Sequence, residues 1–401
     1  MTREEILQEV LQISNKNKLL MLGTGVGKTR IALELINQIQ PRGKILIVIP
    51  RLVLIQNWKD EFIKWGYEKY LPQVEFVTYV SLPKKAGEHY DTICLDEAHH
   101  LSERCLQAVP YIKSEYNILL SATIKSKSIP LLKNLFSDLY IYRVSLSKAI
   151  ENEILPEPKI ILIPFTLDNI SQTELYRVQV KNPNRRTITY QQWLKGKWKY
   201  LNLDVKPYGV DIMCTQQQKY NEIQGYMDSI NKKTSKSVWD IVTLKQLGRE
   251  RLQMLAEIKS DFVKQLLKYL KNYRTLTFCY DIKQTEELGK YCINSKNKKS
   301  QEYLDMFNNK KIKHITAAAM LNEGMNLSSC RYGIFANYNV SELCYIQRIG
   351  RLLRHKEPVI ILPFYKNTKE QDIIADMIKD YDKSLITIVS NPFNFNEYIN
   401  R

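Results

Sequence analysis

Residues 18–33 read KLLMLGTGVGKTRIAL, and the rest of the chain is organised around them. Leu19, Leu20, Met21 and Leu22 are an apolar run suited to a short buried strand. Gly23, Thr24, Gly25, Val26 and Gly27 follow as a loop, and Lys28 and Thr29 open a helical pattern. Glycines let successive backbone N–H groups curl around an anion at a helix N-terminus, whose dipole favours negative charge. In that arrangement Lys28 reaches the β- and γ-phosphates of a nucleotide and the Thr29 hydroxyl ligates Mg²⁺. Leu22 stands where the strict spacing has glycine, so the match is to the variant in which Gly25 and Gly27 flank Val26.

A chain of 401 residues can build two or three domains, and 44% hydrophobic with 25% charged residues is ordinary for a globular protein. The charge balance is the departure: 59 Lys and Arg against 42 Asp and Glu leave +17, which points to a polyanionic partner such as nucleic acid. Seven cysteines without a C-x-x-C pair, and five histidines that form no cluster with them, argue against a structural zinc or disulfide framework. No apolar run reaches membrane-spanning length, and Met1-Thr2-Arg3-Glu4-Glu5 does not read as a signal peptide. The expectation is a soluble, cytoplasmic protein with no membrane partner; its Lys, Asn and Ile content suits an AT-rich bacterial or viral genome.

Beyond the loop, 44–49, 74–80, 92–95 and 118–120 read as buried strands separated by helical stretches. Asp96-Glu97-Ala98-His99 follows the fourth strand, at the edge where open parallel sheets bind ligands. There Asp96 can hold Mg²⁺ through water, and Glu97 can take a proton from an attacking water. An acidic pair can equally cap the next helix, but this one follows a nucleotide loop and several strand–helix units. Strand–helix alternation to about 145 implies a doubly wound α/β domain over 1–150. Residues 145–158 read as a hinge, and 151–260 as a linker strand with an accessory insertion. Arg177, Lys181, Arg185, Arg186, Lys195, Lys197 and Lys199 come without an acid and are interleaved with Tyr190, Trp193, Trp198 and Tyr200. Cations for phosphates and aromatic faces for bases suit a single strand; a small insert with a solvated basic rim and its own aromatic core fits equally. Two helices, 220–230 and 244–270, lead into a second α/β unit over 261–401 that has no phosphate loop of its own.

In this order the motifs resemble those of the superfamily 2 helicases and translocases of DEAH type. Gly23 to Thr29 is similar to motif I, Val48 to Arg51 to motif Ia with a further match at Thr78-Tyr79, Asp96 to His99 to motif II and Ser121-Ala122-Thr123 to motif III. Thr277 to Tyr280 resembles motif IV, Leu321 to Asn326 motif V and Gln347 to Arg354 motif VI. The resemblance implies two RecA-like P-loop NTPase domains closing on ATP and Mg²⁺, with nucleic acid across both. It implies a catalytic set of Glu97, Gln347, Arg351 and Arg354, the arginines being fingers from the second domain, and places Gly324 by the nucleotide. It further implies strand contacts at Arg51 and Thr78, and coupling through His99, Ser121 and Thr123. No aromatic residue followed by glutamine precedes the loop at the spacing that reads adenine in many relatives. The expected activity is an ATP-dependent DNA helicase or translocase. An RNA helicase, a nucleotide-switched clamp, and the motor subunit of a replication, repair or restriction complex are alternatives.

Overall fold

The structure is a computed structural model of the chain; it describes all residues except 24, 181–187, 196–207, 319–326, 339–348, 351, 380, 390–394, 396–397 and 399–401, together with the side chains of 178–180, 188 and 208–210. Strands β1 (Asn17–Leu22), β2 (Ile45–Ile49), β3 (Val74–Thr78), β4 (His89–Leu95), β5 (Lys113–Ser121) and β6 (Tyr140–Val144) form a parallel sheet in the order β3-β2-β4-β5-β1-β6. Parallel strands are buried on both faces, which is why β2 reads Ile-Leu-Ile-Val-Ile with every residue buried. Along β1 the side chains alternate: Leu20 and Leu22 join the layer holding the Lys28–Ile39 and Leu54–Lys64 helices, and Leu19 and Met21 join the opposite core. Leu119 of β5 pairs with Leu19 of β1 on one side and Leu95 of β4 on the other. The loops after β1, β4 and β5 therefore leave the sheet at one edge.

β7 (Lys159–Phe165) crosses to a second parallel sheet. With β11 (Thr275–Cys279), β12 (Cys292–Ile293), β13 (His314–Ala318), β14 (Tyr332–Phe335), β15 (Val359–Tyr365) and β16 (Ile386–Ile388) it forms the order β12-β13-β11-β14-β15-β7-β16. The strand that heads the presumed linker region is thus a component of the second sheet, in register with β15 from Lys159 to Phe165. The hinge expected over 145–158 contains a short helix, Leu146–Glu151, because the Ser145 side chain caps it and Ala149 and Leu155 are buried beneath it. The Ile282–Leu288 helix is short, and the chain returns to the sheet through Gly289 as β12.

Between the sheets' sequences lie β8 (Glu174–Val180), β9 (Ile188–Thr189) and β10 (Tyr208–Cys214), a three-stranded sheet in the order β8-β10-β9. A helical hairpin follows, Gln216–Asn231 and Val238–Tyr269. The second helix has 32 residues, a length of about 48 Å at 1.5 Å per residue. Its C-terminal part packs Val263, Leu266 and Leu270 on the second sheet, and its middle packs Leu247, Met254 and Leu255 on the first helix of the hairpin. On the same helix Leu252 and Ile258 are half-buried, while Lys259 is fully buried against Glu370, Nζ to Oε1 2.6 Å. No helix among the described residues is long and apolar enough to cross a membrane.

Candidate active site

The loop after β1 holds Gly25 at φ 93° and Gly27 at φ 107°, backbone that L side chains rarely adopt. Gly27 then forms the N-cap of the Lys28–Ile39 helix. A Cβ on Gly25 would also lie 3.1 Å from Leu155 Cδ2 and 3.8 Å from the Gly350 carbonyl. Glycine is needed there for its dihedral and for the close approach of Leu155; the Gly350 carbonyl lies at ordinary contact distance. Val26 is buried and anchors the loop from below.

Lys28 opens the helix and turns back across the sheet edge, its Nζ 3.4 Å from Glu97 Oε1 and donating to the Leu22 carbonyl at 3.5 Å. Glu97 meets it because it too sits in the left-handed region, φ 52° and ψ 56°, which aims its side chain over the loop. A non-glycine residue held there stores on the order of 1 kcal/mol of strain, a recurrent feature of functional sites. Asp96 is fixed from two other elements: Trp58 Nε1 donates to its Oδ2 at 3.0 Å and the Tyr79 hydroxyl to its carbonyl at 2.7 Å. Sequence spacing marks Trp58 as core, and it is buried; its indole N–H is what spacing misses, since a buried indole needs an acceptor.

The two carboxyls are driven in opposite directions. Burial, then the charge of Glu97, pushes Asp96 well above the usual carboxylate range. Burial alone would raise Glu97 as well, but Lys28 and then His99 outweigh it and hold that carboxyl low. Two buried carboxyls against one lysine leave a deficit of positive charge, and hard oxygen donors suit a divalent cation such as Mg²⁺. Among the described residues no cluster of three or more His, Cys, Asp or Glu stands ready for a metal.

From Glu97 a polar path runs to β5. His99 Nδ1 lies 3.3 Å from Glu97 Oε2 and 3.2 Å from Ser121 Oγ, and the Ser121 hydroxyl donates to the Thr123 carbonyl at 2.7 Å. Ser121 has one hydrogen and gives it to Thr123, so toward His99 it accepts. Nδ1 of the imidazole therefore carries a proton, while Nε2 is buried without a hydrogen-bond partner.

Arg51 follows β2, and Thr78, whose Oγ1 donates to Ser81 Oγ at 3.4 Å, ends β3; Ile49 pairs with Thr78, so both lie on the same sheet edge as Asp96. From the second sheet's side, Arg354 Nη1 donates to the Leu327 carbonyl at 2.7 Å, and its guanidinium lies within the field of Glu61 on the Leu54–Lys64 helix. A cavity of about 610 Å³ between the two halves is lined by Gly23, Thr123 and Ser145 on one wall and Ile349, Lys369 and Asp376 on the other. Trp193 is half-buried on the Tyr190–Leu194 helix, its ring 5.7 Å from that of Tyr190, and the Tyr190 hydroxyl donates to Glu222 at 2.9 Å. Thr24, Arg185, Arg186, Trp198, Gly324, Gln347 and Arg351 lie outside the described residues. Trp58 and Leu155 are the site residues that motif spacing overlooks, and the bond from the Tyr79 hydroxyl to Asp96 is a contact that the Thr78-Tyr79 match does not foretell.

Two known families match in series: Type III restriction enzyme, res subunit, over residues 2–126, and Helicase conserved C-terminal domain over 258–356. The chain is 22% identical over 374 residues to the DNA 3'-5' translocase XPB2 of Sulfurisphaera tokodaii, covering 87% of this chain and 77% of that protein. Among solved structures it is similar to Dbp5 of S. cerevisiae bound to RNA and ADP BeF3, with TM-score 0.61, 12% identity and coverage of 100% and 92%. It is also similar to the Hef helicase domain of Pyrococcus furiosus, with TM-score 0.50, 13% identity and coverage of 93% and 97%. These last two likenesses concern the fold alone. With both family matches in order along one chain and a translocase relative spanning nearly all of it, this protein belongs to the superfamily 2 helicases and translocases.

Proposed function

We propose that this chain is a nucleic-acid-dependent ATPase that turns ATP hydrolysis into movement along, or unwinding of, DNA. The observation that supports this reading is the approach of Gly350 to the phosphate loop, its carbonyl 3.8 Å from where a Cβ on Gly25 would lie, with Arg354 four residues further along the same segment. Lys28 and the N–H groups of residues 25–29 bind the phosphates, and Thr29 and Asp96 would hold the metal. A divalent cation held by those two residues would supply positive charge against that developing on the phosphate oxygens. Glu97, kept ionised by Lys28 and His99, orients or deprotonates the attacking water. Arg351 and Arg354 stabilise the charge spread over the γ-phosphoryl oxygens, which makes hydrolysis depend on closure of the two halves. His99, Ser121 and Thr123 report the state of Glu97 to the loop after β5, and Arg51 and Thr78 lie where a strand can track across the edge.

DNA is preferred because the relative matched over 87% of this chain is named as a DNA translocase, and residues 2–126 match a restriction-enzyme family, which also suggests work within a larger complex. A DEAH-type assignment rests on the spelling of residues 96–99, and the cytosol of a bacterial cell or virus-infected host is the compartment that goes with it. The test is steady-state ATPase with single-stranded DNA, duplex DNA and RNA at one stated salt concentration. Stimulation by DNA above RNA is expected. Turnover indifferent to all three overturns the motor reading, and stimulation by RNA alone replaces DNA with RNA.

A further inference from the structure

The helical hairpin ends in a tip that none of the site residues uses. Every residue from Asn231 to Trp239 is exposed, and the first buried residue of the long helix is Leu247. From Val238 to Val242, before Leu244 packs on the hairpin core, the ordered helix projects outward and carries Val238 at 76% exposure and Trp239 at 80%, with Ile241 and Val242 also exposed. An indole held in water on an ordered helix is a standing invitation to a partner with a flat face.

The charges around it narrow the partner. Lys232, Lys233, Lys236 and Lys245 surround the tip, and Asp240 is the one carboxylate between 231 and 245. Asp240 is occupied inside the turn: its carboxylate accepts from the Ser237 N–H at 2.9 Å and from Lys233 Nζ at 2.6 Å, while the Ser237 side chain caps Asp240 N. Those contacts fix the turn and neutralise Lys233. Among the described residues Lys232, Lys236 and Lys245 have no ion pair, and Lys236 donates only to the Asn231 carbonyl at 3.3 Å. A protein groove apolar enough to take Trp239 would strip water from three cations without replacing it.

We infer that the hairpin tip is a contact for single-stranded nucleic acid, in which the Trp239 indole stacks on an unpaired base and Lys232, Lys236 and Lys245 meet the flanking phosphates. This rests on the proposed nucleic-acid reading and adds to it a place, outside the sheet edge and outside Trp193 and the basic run before it.

The test is fluorescence anisotropy of the full chain with labelled oligothymidylate of about 20 nucleotides and with a blunt duplex of about the same length, for wild type, Trp239→Ala, Trp239→Phe and Lys232→Ala/Lys236→Ala. Loss of one stacked base weakens Trp239→Ala on the single strand by roughly 5- to 100-fold, with the phenylalanine variant recovering most of it. Duplex affinity stays within about twofold for Trp239→Ala, since stacking needs an unpaired base. The double lysine variant lowers the slope of log Kd against log salt by about 1.4, two contacts at about 0.7 each. Melting temperatures matching wild type confirm that the exposed side chains were not holding the fold. If wild type binds and Trp239→Ala binds the single strand equally well, the inference falls and the tip becomes a protein-docking surface, with the motor reading intact. If wild type binds no oligonucleotide, both fall.

Discussion

Replacing Glu97 by glutamine separates the two things the candidate site is proposed to do. The substitution keeps the shape and the left-handed turn, and removes one negative charge from a pair whose charged ends lie 3.4 Å apart. At an effective dielectric constant of about 20, that contact carries roughly 5 kcal/mol of attraction before desolvation is charged against it. Lys28 is then released from Glu97 and free to serve a phosphate, and an anionic nucleotide no longer faces a second carboxylate, so the Kd for ATP should hold or fall. The loss of a positioned base costs about 10²- to 10⁴-fold in kcat, or roughly 3 to 5.5 kcal/mol on the barrier. A coupled ATPase assay at saturating oligonucleotide measures the second quantity, and equilibrium binding of a fluorescent ATP analogue measures the first. A variant that turns over within about threefold of wild type refutes Glu97 as the base. A variant that loses ATP affinity and kcat together shows instead that the Glu97 carboxylate holds the loop in place.

Three further outcomes follow from contacts elsewhere. Lys28→Ala, which removes the one ammonium at the loop, should abolish measurable ATP hydrolysis and weaken nucleotide binding by roughly 100-fold, about 3 kcal/mol for a charge-assisted contact; the same two assays read it. Lys259→Met leaves Glu370 buried and uncompensated in a pair that is 0% and 3% exposed, which should cost about 3–5 kcal/mol in urea unfolding, while Lys259→Met/Glu370→Met restores most of it. Burial lowers the pKa of His314 from its ordinary 6.5, with Nε2 donating to the Leu270 carbonyl at 2.9 Å. The unfolded chain therefore takes up this proton at a higher pH than the folded one, so stability is full above about 6.5 and declines as the pH falls below it. His314→Gln should flatten that decline between about pH 7 and 5.5, measured by denaturant midpoints.

The first sheet was legible because its strands are continuous apolar runs and its ligand edge is marked by glycines with a forced dihedral. Lys28, Asp96 and Glu97 can be placed there from the order of strands and loops, before any side-chain distance is known. What could not be read were contacts whose signal is polar and non-local. Trp58 looks like any other core aromatic until its N–H is followed to Asp96, and Lys259 looks like a solvated lysine until its helix is laid against Glu370. β7 was visible as a strand but not as a member of the second sheet, since nothing in Lys159–Phe165 says which parallel neighbours it will take. The short helix within 145–158 was hidden for a local reason: the prolines at 156 and 158 are conspicuous, and the Ser145 cap and the buried Ala149 are not.

Hydrolysis that waits for two halves to meet needs a way to pass the outcome on, and the geometry limits what that way can be. Glu97 and Ser121 leave the sheet on neighbouring strands and are joined through one imidazole whose Nδ1 faces both. That nitrogen has a single hydrogen to share, so strengthening its contact with Glu97 weakens its contact with Ser121. On the proposed reading, a water or product phosphate that alters the charge around Glu97 must change how firmly His99 holds the loop after β5, and the Ser121–Thr123 turn moves with it. The lever is small, about the 0.5–1.5 kcal/mol of one hydrogen bond, which suits a step reversed at every turnover: a larger one would lock the loop in the state it first adopted.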